Sequence, residues 1–69
     1  MTTETLAEAL PREQARVRAL LPIYREIGPA ANFAIHMMEQ SLQAADRAAA
    51  SGDVVAMLRA LKDLQEYSA

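Results

Sequence analysis

The chain has 69 residues and 36 hydrophobic ones, but 15 of these are alanine, so 21 side chains are large enough to fill a core. A domain this small hides only about 60% of its unfolded surface, and one such core rarely contributes more than roughly 3–5 kcal/mol. With no cysteine and one histidine, disulfides and Cys/His zinc sites are excluded as staples, which leaves self-association or a partner. Seven basic against nine acidic residues give a net charge of −2 without any long like-charged run, so no polybasic tail is present to seek nucleic acid.

Strand signals are confined to the pair Val54-Val55, and the abundance of Ala, Leu, Glu, Gln, Arg and Met favours helix throughout. Residues 1–10 are expected to form a separate N-terminal arm. Thr5 and Glu8 have capping-box spacing, and Pro11 interrupts the helical pattern after Leu10. A single helical domain is then expected over 11–69, with helices at about 11–27, 29–50 and 54–67.

The first helix begins with Pro11 in its opening turn. It carries Val17, Leu20, Leu21, Tyr24 and Ile27 at spacings of three and four. Pro22 lies inside it and lacks the N–H that would bond the Arg18 carbonyl, so a kink or break is expected there. Because the apolar stripe stays in phase across Pro22, one kinked helix is favoured over two independent ones.

Gly28 can end this helix in a left-handed conformation, and Pro29 can open the second. At 100° per residue, Ala31, Ala34, Ile35, Met38, Leu42, Ala45 and Ala49 share one face of the second helix, with His36, Gln40, Gln43 and Arg47 opposite. Ser51-Gly52-Asp53 is the clearest break: Gly52 closes the second helix and Asp53 caps the third. The two should form an antiparallel hairpin. Val54, Met57, Leu58, Leu61 and Leu64 form the expected apolar stripe of the third helix, and Arg59/Asp63 and Lys62/Glu66 are spaced to pair outside it.

Charge is distributed unevenly. Residues 11–27 carry a local +2 and residues 39–69 a local −2, a complementarity suited to head-to-tail or antiparallel packing, although each exposed pair contributes only about 0–1 kcal/mol. The longest uncharged stretch, Ile27 to Met38, spans 12 residues and contains Gly28, Pro29, Asn32 and His36, far below the roughly 20 apolar residues that cross a bilayer. Met1-Thr2-Thr3-Glu4 lacks the basic and apolar regions of a signal peptide. The expectation is therefore a soluble, cytoplasmic protein.

Chemistry-bearing constellations are sparse. His36 and Glu39 have ligand spacing on a helix, but no second histidine or matching carboxylate pair joins them. Ser41 and Ser51 have no evident base, and two glycines do not make a phosphate loop. No enzymatic activity, metal or other cofactor is expected. Arg12, Arg16, Arg18 and Arg25 offer a phosphate-facing surface on the first helix, the basis of an alternative reading as a small DNA-binding regulator. The third helix, with Arg59 and Lys62 among three acids, is not basic enough for a recognition helix.

Phe33, Met37, Ala44 and Ala48 widen the apolar face of the second helix beyond what one neighbouring helix covers. Tyr24, Phe33, Met37 and Met38 are the residues expected at an interface, because aromatics and methionine are enriched there. The run Leu21-Pro22-Ile23-Tyr24-Arg25-Glu26-Ile27-Gly28-Pro29-Ala30, followed by Phe33, Met37-Met38, Ala45-Asp46 and Gly52-Asp53, resembles a group of short, uncharacterised helical proteins of proteobacterial phages and prophages. The resemblance covers roughly residues 20–67 and implies a small phage-type accessory protein without implying an activity.

Together these features predict an all-α, three-helix domain with an antiparallel hairpin, assembled as a homodimeric bundle. The first helix would pack across the hairpin or exchange with a second chain. The expected function is non-enzymatic protein–protein interaction, with a second copy or a host or phage protein as partner, and no membrane.

Overall fold

The computed structural model describes residues 4–68, which contain three α-helices and no strand. Helix α1 spans Leu6–Ile27. Thr5 caps it with extended backbone geometry, its Oγ1 accepting from the Glu8 N–H while also donating to the Glu8 carboxylate. This is the anticipated capping box, but it opens the main helix instead of a separate arm. Ala9 and Leu10 are buried within α1, so residues 6–10 belong to the body of the domain, while the first three residues of the expected arm lie outside the described residues. Pro11 and Pro22 both sit inside the helix. Each leaves one carbonyl without its usual intrahelical donor, and packing of the continuous stripe Leu10, Val17, Leu20 and Leu21 offsets that loss.

Gly28, at φ 95°, turns the chain after Ile27, its N–H donating to the Arg25 carbonyl. The next three residues, Pro29–Ala31, form one 3₁₀ turn before α2 runs over Asn32–Ser51. The second helix therefore begins three residues later than expected, because Pro29 starts a tighter turn and α2 has no side-chain cap. Gly52 closes α2 in the left-handed region at φ 71° and donates to the Ala48 carbonyl. Asp53 caps α3 (Val54–Gln65), its Oδ1 accepting from the N–H groups of Val55 and Ala56 at 3.0 and 3.3 Å. Ser51 completes the turn by donating to the Ala48 carbonyl and accepting from the Asp53 N–H.

The core gathers Leu10, Val17, Leu20 and Leu21 from α1, Met38, Leu42, Ala45 and Ala48 from α2, and Ala60 and Leu64 from α3. Four residues expected on the core stripes are exposed: Ile27 on α1, Ala49 on α2, and Val54 and Leu58 on α3. On α2 the buried stripe passes through Ala48 instead of Ala49, and on α3 Val54 and Leu58 are exposed while Ala60 is buried. Both shifts follow from α3 lying to one side of α2: the contact is made by small alanines, and the larger Val54 and Leu58 are turned away.

Polar groups fasten α1 to the other helices. The Gln14 amide donates to Asp46 at 2.7 Å, and Arg18 pairs with the same carboxylate oxygen at 3.2 Å. Arg25 lies 3.6 Å from Glu39. The uneven charge of the sequence is thus matched largely within the chain, between antiparallel α1 and α2. Arg16 reaches the far end of α3, donating to the carbonyls of Leu64 and Tyr67 at 2.8 and 2.7 Å. It also pairs with the buried Glu13 carboxylate. The Arg59/Asp63 and Lys62/Glu66 pairs do not form among the described residues, whose ion pairs all involve α1 arginines.

Candidate interaction surface

Helix lengths decide where apolar surface remains. Helices α1 and α2 have 22 and 20 residues, but α3 has 12, a deficit of roughly 12–15 Å at 1.5 Å per residue. Its carboxyl end is located by three contacts. Arg16 holds the Leu64 and Tyr67 carbonyls, Ser41 Oγ and Tyr67 Oη lie 2.8 Å apart, and the Tyr24 hydroxyl donates to the Ser68 carbonyl. Beyond that level the hairpin of α1 and α2 continues without a third helix beside it.

Ile23 and Ile27 are four apart on α1, and Phe33 and Met37 are four apart on α2. By helical phase Ile27 and Met37 lie on the side of their helices that α3 occupies further along, while Ile23 and Phe33 stand at the outer edges of the pair, away from the residues that join α1 to α2. With no helix there to cover them, they remain open to solvent, Phe33 at 75% and Ile27 at 62% exposure, with Ile23 and Met37 less so. Arg25, Glu26, His36 and Glu39 are exposed polar neighbours in sequence, and Arg25 and Glu39 are already paired with each other. The four large apolar side chains carry no charge and leave this end of the hairpin with exposed apolar surface.

Of the residues expected at an interface, Phe33 and Met37 lie in this patch. Tyr24 is half-buried at its inner edge, held by its bond to Ser68. Met38 is fully buried against the core at 0% exposure and is not an interface residue. The helical period explains the difference, since Met37 and Met38 stand 100° apart and only one can face inward. Sequence reasoning assigns Ile23 and Ile27 to no surface. Their exposure depends on the length of a helix some 30 residues further along, a signal that the local pattern of α1 does not contain.

The four arginines of the alternative nucleic-acid reading are spread over two sides of α1. Each meets an oxygen of its own chain: Arg12 binds Glu4 and Glu13, Arg16 binds Glu13 and the end of α3, Arg18 binds Asp46, and Arg25 binds Glu39. The Arg12 bond holds the Glu4 carboxyl below the usual carboxylate range and raises the Arg12 guanidinium, in each case chiefly through the side-chain hydrogen bond between them. His36 is exposed, and among the described residues no group of three or more His, Asp or Glu side chains is arranged to hold a metal. No described helix is long and apolar enough to cross a membrane. An open groove of about 570 Å³ lies near the opposite end, between α2 and α3, floored by Ala44, Ala48, Ala56 and Ala60. Comparison with known families, characterised proteins and solved structures finds no match to the chain.

Proposed function

We propose that this chain is a non-enzymatic protein–protein interaction protein whose contact surface is the open end of the α1–α2 hairpin. The observation that carries this reading is the exposure of Ile23, Ile27, Phe33 and Met37 on the part of the α1–α2 pair that the short α3 does not reach. Exposed aromatic and methionine side chains are enriched at protein-binding surfaces. Self-association and capture of another chain both draw on the same four side chains, and a role as a phage-type accessory protein is compatible with either. Nothing in the geometry favours the DNA-binding alternative. Phosphates would have to displace carboxylates already bound to all four α1 arginines, on a chain of net negative charge.

Site-specific photocrosslinking in cells that natively express the chain tests the reading. A photoreactive residue at position 33 should yield discrete protein adducts, and one at the exposed polar position Gln43 should not. Equal labelling from both positions, or none from position 33, would refute it.

A further inference from the structure

We infer that residues Glu66–Ser68, which follow α3, form a strap that lies over the inner part of the interaction surface and lifts away when a partner docks. The inference rests on the interaction reading above and concerns how that surface is regulated.

The strap is anchored on the faces that carry the open surface. Ser41 follows Met37 by one turn of α2, and Tyr24 precedes Ile27 by one turn of α1, so each pair runs along the side of its helix that α3 faces. Ser41 is buried and Tyr24 half-buried, whereas Met37 and Ile27 are exposed. Strap residues bond to the first two. Tyr67 Oη lies 2.8 Å from Ser41 Oγ, and the Tyr24 hydroxyl donates to the Ser68 carbonyl. Because α3 runs antiparallel to α2, the chain leaving its carboxyl end heads toward Met37, and the strap occupies the first part of the hairpin beyond α3.

Few interactions hold the strap down. Glu66 and Ser68 are exposed, and Tyr67 is its one partly buried side chain. Besides the two hydroxyl contacts, an Arg16 N–H donates to the Tyr67 carbonyl at 2.7 Å. Release exchanges these bonds for bonds to water and returns the conformational entropy of the strap, which places it among the low-stability segments from which lids are drawn. Arg16 retains Glu13 and the Leu64 carbonyl when the strap leaves, so the end of α3 stays in place. Lifting the strap frees Tyr24 and Ser41 in line with Ile27 and Met37, and the tyrosine ring lengthens the contact face by one turn.

Hydrogen exchange of the full chain, read beside photocrosslinking from position 33, tests the inference with Tyr24→Phe, Tyr67→Phe and the double variant. Each substitution removes one hydroxyl contact and leaves the ring. In the double variant the Tyr67 amide, which bonds the Leu64 carbonyl, should exchange about 10-fold faster while the buried Val17 and Met38 keep their protection. Adducts from position 33 should rise about threefold or more, because apparent affinity follows the fraction of chains in the open state. Unchanged exchange at Tyr67, or faster exchange with unchanged or reduced adduct yield, overturns the strap. If the core amides lose protection as well, Ser41→Ala, which removes the Tyr67 contact from the α2 side, carries the test in its place. Absence of adducts from position 33 in every chain removes the interaction reading, and with it the strap's role as a guard, whereas adducts that persist without a strap effect leave the interaction reading standing.

Discussion

Replacing Arg16 with alanine should destabilise the fold far more than the same change at Arg18, although both are arginines on α1 with an acidic partner. Arg16 donates to two backbone carbonyls at the end of α3, 2.8 and 2.7 Å away, and pairs with Glu13, whose side chain is 8% exposed. A hydrogen bond to a charged group contributes about 1.5–3 kcal/mol, and a cation at a helix carboxyl end adds about 0.3–1 kcal/mol. Arg16 is 36% exposed, and Arg12 remains 3.2 Å from Glu13 as a substitute partner, so both contributions need discounting. The expected loss is about 2–3 kcal/mol, a large share of the roughly 3–5 kcal/mol available to a core of this size. Arg18 and Asp46 are both more than half exposed, and Gln14 also holds that carboxylate. Arg18→Ala should therefore cost about 0–1 kcal/mol.

The assay is urea and thermal unfolding followed by helical circular dichroism, with all chains at one concentration because association would otherwise shift the midpoints. At about 4–8 °C per kcal/mol for a domain of this length, Arg16→Ala should melt about 10–20 °C lower than wild type. The double variant Glu13→Ala, Arg16→Ala should lose less than the sum of its parts, since the two residues touch. Equal midpoints for Arg16→Ala and Arg18→Ala would refute the view that Arg16 fixes the end of α3, and with it the explanation of where the open surface begins.

Met38→Ala should cost about 2–5 kcal/mol in the same unfolding assay, whereas Met37→Ala should leave unfolding of the dissociated chain within about 0.5 kcal/mol, because only Met38 is enclosed. Pro22→Ala should raise stability by about 1–3 kcal/mol in that assay by restoring an N–H donor for the Arg18 carbonyl within the unbroken helix α1. A carbon-13 NMR titration should place the Glu4 midpoint below that of an unperturbed glutamate and return it to the ordinary value in Arg12→Ala. Since the folded carboxyl is depressed, its stabilising contribution is complete above the unfolded value near 4.5 and is lost as pH falls through the lower folded value.

Local chemistry makes much of this architecture legible. Thr5 with Glu8, Gly28 with Pro29, and Ser51-Gly52-Asp53 each specify a helix boundary through a particular hydrogen bond or backbone angle, and those bonds are present. The opposite charges along the sequence leave head-to-tail and antiparallel packing open, and Arg18 with Asp46 and Arg25 with Glu39 realise the antiparallel choice between α1 and α2. Pro11 misleads because its cost is local, while the packing of Ala9 and Leu10 that outweighs it is tertiary. Val54 and Leu58 mislead for a related reason: their spacing fits a stripe, but α3 packs on the core through Ala56, Met57, Ala60, Leu61 and Leu64. Phe33 and Met37 stand out from the width of the α2 face. Ile23 and Ile27 do not, since their exposure is set by where α3 stops.

The most direct measurement is photocrosslinking from position 33 beside the same probe at position 43, in cells that express the chain. The account predicts discrete protein adducts from position 33 alone. Equal labelling from both positions, or none from position 33, would contradict it.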